Sequence, residues 1–90
     1  NDFSKIIANK PHAYAHNNRG YAKYKLGLLS EAQLDCEKSL KLDPKNSWVY
    51  FNLGLIKHAQ KETREACEFL EKAYQLGKKE AFDELSKKCQ

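Results

Sequence analysis

Methionine is missing from all 90 residues, so no initiator residue is present and the chain is expected to be processed or cut from something longer. Proline occurs twice and glycine four times, too few breakers for a fold of many short strands. The longest apolar runs are a few residues, which excludes a membrane-spanning helix. No basic-then-apolar leader opens the chain. The three cysteines, Cys36, Cys67 and Cys89, form no C-x-x-C pair. An odd set in a chain poor in loops argues against a disulfide framework. Thiols buried or half-buried on helices are expected instead, and the same reasoning favours a cytoplasmic location.

What remains has the make-up of a soluble globular domain, 41% hydrophobic and 31% charged. Sixteen Lys and Arg against twelve Asp and Glu leave a net charge of +4, mildly basic and short of a nucleic-acid-binding tail. This length allows one domain and leaves little room for an enzyme with separate substrate and cofactor lobes.

The punctuation predicts helices. Residues Ala13 to Leu26 suit one, with Gly27 as its stop. Ser30-Glu31-Ala32-Gln33 reads as a capping box with Ser30 at the N-cap, opening a helix to Leu42. After the Asp43-Pro44-Lys45-Asn46 turn, helices are expected over Ser47–Gln60, Thr63–Leu76 and Lys79–Lys88. Phe3 to Asn9, before Pro11, reads as the tail of an earlier helix. On the last helix, Asp83–Lys87 and Glu84–Lys88 make favourable four-residue pairs. The class is all-α.

Sliding the sequence by 34 residues superposes helix on helix. Asn18 falls on Asn52, Gly20 on Gly54, Lys23 on Lys57, Glu31 and Ala32 on Glu65 and Ala66, Glu37 and Lys38 on Glu71 and Lys72, and Leu42 on Leu76. About two such identities are expected by chance from ordinary composition. Tyr14 on Trp48, Cys36 on Leu70 and Ser39 on Ala73 extend the register. A fixed period of this length marks a solenoid, in which each unit buries its apolar face by stacking on a neighbour.

Gly20, Ala32 and Pro44, then Leu53, Gly54, Ala66 and Ala73, resemble the tetratricopeptide-repeat pattern. A mid-helix glycine costs roughly 1 kcal/mol against alanine, tolerable where paired helices approach too closely for a side chain. The resemblance implies a helix-turn-helix solenoid, a superhelix of two full repeats. Residues 13–46 form repeat 1 and 47–80 repeat 2. Residues 1–11, with Phe3, Ile6 and Pro11, end a preceding repeat, and 81–90 form a capping helix. Pro11 to Pro44 is one residue short of the period, so the first linker carries a deletion. His16 and Arg19 depart from the pattern, standing where the family usually has a bulky aromatic and a leucine.

The resemblance further implies a concave groove lined by the first helix of each unit. It places there Tyr14, Asn17, Asn18, Tyr21, Tyr24 and Lys25, then Trp48, Phe51, Asn52, Leu55 and His58, with Phe82 and Ser86 from the last helix. Aromatic rings give large contact area at low entropy cost, and asparagine amides can hold peptide backbone. The competing reading makes several of these rings core between stacked helices. No acid lies between Pro11 and Leu29 or between Asn46 and Lys61, whereas Glu31, Asp35, Glu37, Glu62, Glu65, Glu68 and Glu71 gather on the second helices. Basic inner helices favour an acidic ligand or a free C-terminal carboxylate, unless those acids merely serve the outer helices. The carboxylate clamp known in the family is not matched, because Trp48 and Phe82 stand at its lysine positions and Asn52 or Ser86 at its arginine.

The resulting expectation is a protein- or peptide-binding scaffold rather than an enzyme, with no membrane partner. Single-stranded nucleic acid is the rival ligand, through Tyr21, Lys23, Tyr24, Lys25 and Trp48, and self-association is a third possibility. No catalytic, cofactor or metal motif is present; His12 and His16 stand four apart without a Cys or carboxylate nearby in sequence.

Overall fold

In a computed structural model, residues 2–89 are described, with their side chains from residue 12 onward. Five α-helices appear among them: α1 (Asp2–Lys25), α2 (Leu29–Leu42), α3 (Ser47–Ala59), α4 (Thr63–Gln75) and α5 (Glu80–Lys88). They divide into two units, Asn1–Lys45 holding the α1–α2 hairpin and Asn46–Gln90 holding α3, α4 and α5. No strand occurs among the described residues, and the class is all-α as expected.

Three helices end in the same way. Leu28 N–H donates to the Lys23 carbonyl and Gly27 N–H to that of Tyr24; Glu62 and Lys61 repeat the pair on Lys57 and His58, and Lys78 and Gly77 on Ala73 and Tyr74. This closing pattern needs a left-handed residue after the helix. Gly27 (φ 82°) and Gly77 (φ 107°) supply it, whereas at the middle turn it falls to Lys61 at φ 67°, a conformation that costs an L side chain roughly 1–2 kcal/mol.

Two local expectations are corrected. The helix boundary before Pro11 is absent, since α1 runs through it. The ring fixes φ near a helical value, so the loss is confined largely to one backbone hydrogen bond and the steric crowding around it. The side chains of Phe3, Ile6 and Pro11 lie outside the described residues. The capping box at Ser30 does not form either. Its helix opens at Leu29 behind Leu28, which makes no side-chain cap, because the closing turn of α1 ends at Leu28 and leaves no spacer. Gln33 Nε2 donates instead to Glu37 Oε2 at 3.1 Å. Asn46, not singled out from the sequence, caps α3 by accepting from Trp48 N–H at 3.0 Å.

The helix-pairing glycines sit as the close-approach argument requires. A Cβ on Gly20 would lie 2.9 Å from Cys36 Sγ and 3.1 Å from the Ala32 carbonyl oxygen; one on Gly54 would lie 2.6 Å from Leu70 Cγ and 3.3 Å from the Ala66 carbonyl oxygen. Cys36 and Leu70 stand 34 apart, as do Ala32 and Ala66. Both hairpins therefore close on one design: a glycine on the first helix, facing a small residue's backbone and a buried side chain on the second.

Candidate functional site

The first helix of each unit has one face spent on its own hairpin. On α1, Ala13, Asn17 and Gly20 are buried. The Ala13 carbonyl accepts from Ser39 Oγ at 2.7 Å, and Asn17 Oδ1 accepts from the Cys36 thiol at 3.8 Å. Burial, followed by the charges of Asp35 and Glu37, pushes the Cys36 thiol up to about 12, so it stays a protonated donor at neutral pH. Cys36 thus behaves as the buried free thiol expected of it.

Beside this seam lies an ion cluster. The Asp35 side chain is 3% exposed and accepts two hydrogen bonds from Arg19, Nε to Oδ2 at 3.1 Å and Nη2 to Oδ1 at 2.8 Å. Lys23 Nζ reaches Asp35 at 3.1 Å and Glu31 at 3.7 Å, and His16 Nδ1 lies 3.9 Å from Asp35. The Arg19 hydrogen bonds lead in holding the Asp35 carboxyl below its ordinary range, against its burial and with help from Lys23. In the second unit, Lys57 Nζ lies 3.2 Å from Glu65 and 3.3 Å from Glu62. Burial disfavours the charged ammonium there, and the bonds to Glu65 and Glu62 outweigh it to raise Lys57.

These pairs bear on the charge argument. Arg19, Lys23 and Lys57 give the first helices their positive charge, but each is engaged with the acids of its own second helix. The Lys23–Glu31 and Lys57–Glu65 pairs are one contact repeated 34 residues on. The separation of basic first helices from acidic second helices is, at these positions, a matching of charge within each hairpin.

The outward face of α1 is different. Tyr14, Asn18, Tyr21 and Lys25 follow each other at i, i+4, i+7 and i+11, one stripe of a helix. Tyr14 is 56% exposed, Asn18 and Lys25 are exposed, and Tyr21 is half-buried. The Tyr21 and Tyr24 rings are 6.1 Å apart, with Lys25 Nζ 5.5 Å from the centre of the Tyr21 ring, within reach of a cation–π attraction. On α3, Trp48, Phe51, Leu55 and His58 are half-buried and Asn52 is buried. Lys78 Nζ stands 5.5 Å over the Phe51 ring. The 34-residue match of Asn18 with Asn52 therefore joins an exposed amide to a buried one, and Asn17 and Asn52 are both buried where a ligand-facing role was expected. On α5, Phe82 is 56% exposed, with its ring 5.8 Å from that of Tyr74, and Ser86 is exposed.

One feature escaped the sequence reading. Cys67 on α4 and Cys89 at the end of α5 form a disulfide, Cα–Cα 5.8 Å, which corrects the expectation of free thiols at these two positions and removes the ground for favouring the cytoplasm. The signal was present in the numbering. Cys67 and Cys89 lie equally far either side of Lys78 in the α4–α5 turn, so an antiparallel hairpin brings them face to face. Among the described residues, no group of three or more His, Cys, Asp or Glu side chains is placed to hold a metal ion, and no helix is long and apolar enough to cross a membrane.

Comparison with known proteins matches residues 13–46 to the tetratricopeptide repeat, and residues 36–68 to a second pattern of the same description. The chain is 35% identical over 86 residues to sperm-associated antigen 1 of Mus musculus, covering 96% of this chain and 9% of that protein. To the Homo sapiens protein of the same name it is 36% identical over 70 residues, 78% of this chain and 8% of that one. It is also similar to stress-induced-phosphoprotein 1 of Caenorhabditis elegans, 31% identical over 71 residues, covering 79% of this chain and 22% of that protein. The chain thus spans less than a quarter of the length of each of these relatives.

Proposed function

Since the chain belongs to the tetratricopeptide-repeat family, a protein-interaction fold, we propose that it binds protein or peptide segments on the outward face of the first helix of each unit, α1 in one and α3 in the other. The observation that carries this reading is the stripe of Tyr14, Asn18, Tyr21 and Lys25, which the α1–α2 seam leaves turned outward. Tyrosines in such a stripe offer an apolar body and a hydroxyl, the combination enriched at binding hot spots. On α3 the contacts are Trp48, Leu55 and His58, with Phe51 packed toward α4 and α5, and with Asn17 and Asn52 lying behind these faces and orienting them rather than meeting a ligand.

The ion pairs shape the ligand class. With Arg19, Lys23 and Lys57 engaged, the pull on an acidic partner is weaker than the sequence implies, and aromatic and amide contact carries the recognition. The same pairing weakens the case for single-stranded nucleic acid, which needs lysines at liberty to meet phosphate.

Trp48 is the single tryptophan and reports on the α3 face. Peptides selected on the immobilised protein should give a saturable change in its fluorescence. For peptides held by the α1 face, Tyr21→Ala should weaken binding about tenfold, in the range of a single interface anchor, and raising the salt should change little. The reading fails if no selected peptide moves Trp48 emission and Tyr21→Ala binds as the parent does. Steeply salt-dependent binding of mixed-sequence single strands would favour nucleic acid instead.

A further inference from the structure

Helix α5 docks on α4 through a short apolar stripe, one ring contact and a covalent link. At nine residues it is shorter than the length at which isolated helices persist in water, and its first turn has no side-chain cap. Its docking stripe is Ala81, Leu85 and Cys89, at i, i+4 and i+8. Ala81 is buried with Leu70 and Ala73 of α4; Leu85 and Cys89 pack partly buried against them, as do Tyr50 and Phe51 of α3. Phe82, the largest side chain of α5, is more than half exposed and meets α4 only at the edge of that seam, through the Tyr74 ring 5.8 Å away. The Glu84–Lys88 ion pair, 2.6 Å, lies within α5 itself and adds nothing to docking. The turn after Gln75 closes one end of the α4–α5 hairpin, and Cys67–Cys89 closes the other.

We propose that the Cys67–Cys89 disulfide is a redox latch: oxidised, it keeps α5 seated on α4; reduced, it lets α5 leave and uncovers the apolar face of Leu70 and Ala73. Both cysteines are half-buried rather than sealed, so a small dithiol can reach them. Its thiolate attacks one protein sulfur, forming a mixed disulfide, while the other protein sulfur leaves as a thiolate and takes up a proton. The second thiol of the reagent then displaces the first protein sulfur, which is protonated in turn. Two electrons pass to the protein, giving two thiols, and the reagent ends as a cyclic disulfide. Cys36 takes no part, being buried, free and held protonated.

The oxidised state loses flexibility because the bond removes open conformations of the hairpin, which a short helix with one fully buried side chain cannot exclude on its own. Reduction therefore acts locally. The α1–α2 hairpin, with its own glycine contact and ion cluster, keeps its structure.

Amide hydrogen exchange at neutral pH, before and after full reduction with dithiothreitol, tests this. The intact mass should rise by the two hydrogens of one disulfide. Amides of Ala81–Lys88 should then lose at least tenfold in protection, while those of α2 change less than twofold. The Cys67→Ser/Cys89→Ser chain should exchange like the reduced protein and ignore the reagent, and Cys36→Ala should keep the full response. Equal α5 protection in the oxidised and fully reduced chains would overturn the latch. So would an air-oxidised protein whose mass shows three free thiols.

Discussion

The two hairpins share a register and a glycine contact, yet fill the seam beside it with opposite chemistry. In the second unit Leu53 and Leu70 are buried, Phe69 is half-buried and Ala73 is buried. Shifted back by 34 residues, the same positions hold Arg19, Cys36, Asp35 and Ser39. Where the second hairpin has Leu53 and Phe69, the first has the bidentate Arg19–Asp35 pair. Phe51 and Leu70 correspond to the Asn17–Cys36 hydrogen bond, and Ala73 to Ser39 bonded to the Ala13 carbonyl. One backbone geometry thus tolerates an apolar seam and a polar one, provided each buried polar group finds a partner. The polar seam is also the one that pH can reach.

The largest effect should come from emptying the apolar seam. Leu70 is fully buried, against the close approach of Gly54 and within the cluster under α5. Leu70→Ala should cost about 3 kcal/mol, the transfer term plus a cavity, read as a fall in the chemical-denaturation midpoint. Substituting at the equivalent Cys36, which is smaller, should cost less, and a reversal of that order would break the comparison.

Asp35→Asn probes the polar seam. It keeps the shape but removes the charge that Arg19 and Lys23 answer, and should cost about 2 kcal/mol, typical of hydrogen bonds to a charged group. The Arg19→Leu/Asp35→Phe pair, which copies Leu53 and Phe69, should recover most of that loss because an apolar replacement of an ion pair is often neutral. Denaturant midpoints of the parent, single and double variants sharpen the equivalence of the two seams, or refute it if the double variant is the least stable.

The smallest effect concerns the turns. Gly27 and Lys61 occupy the same left-handed position 34 apart. Lys61→Gly relieves backbone strain but gives the unfolded chain more freedom, for a net gain of about 0.5 kcal/mol. A rise of one to a few degrees in Tm would record it.

Much of this was legible without coordinates. The 34-residue register located both hairpins, and α2 to α5 begin and end within one or two residues of expectation. Gly20 and Gly54 stood out because glycine is unfavourable in mid-helix unless space demands it. Arg19 stands out in the sequence in a leucine's place, but its partner does not, because an ion pair between residues 16 apart depends on which faces of two helices meet. The same limit hid the disulfide and the acidic partners of Lys23 and Lys57. Composition locates charge on a helix, whereas the rotation of that helix decides whether the charge faces its neighbour or the solvent. Asn17 and Asn52 turned inward for the same reason.

Acid separates the two seams most directly. The carboxyl of Asp35 is held low in the folded state, so its contribution is fully present above the ordinary Asp range, near pH 4, and is lost as the pH falls through the folded value. Glu62 and Glu65, the acids paired with Lys57, are half exposed and their pairs contribute little. Carbon-detected NMR titration of the Asp35 carboxyl, followed together with the backbone amides, measures this in one experiment. The Asp35 midpoint should lie below pH 3.9, the ordinary value, and the amides of α1 and α2 should shift with it while those around Leu53 and Leu70 do not. An ordinary Asp35 midpoint, or amides around Leu53 and Leu70 that follow it, would contradict the account.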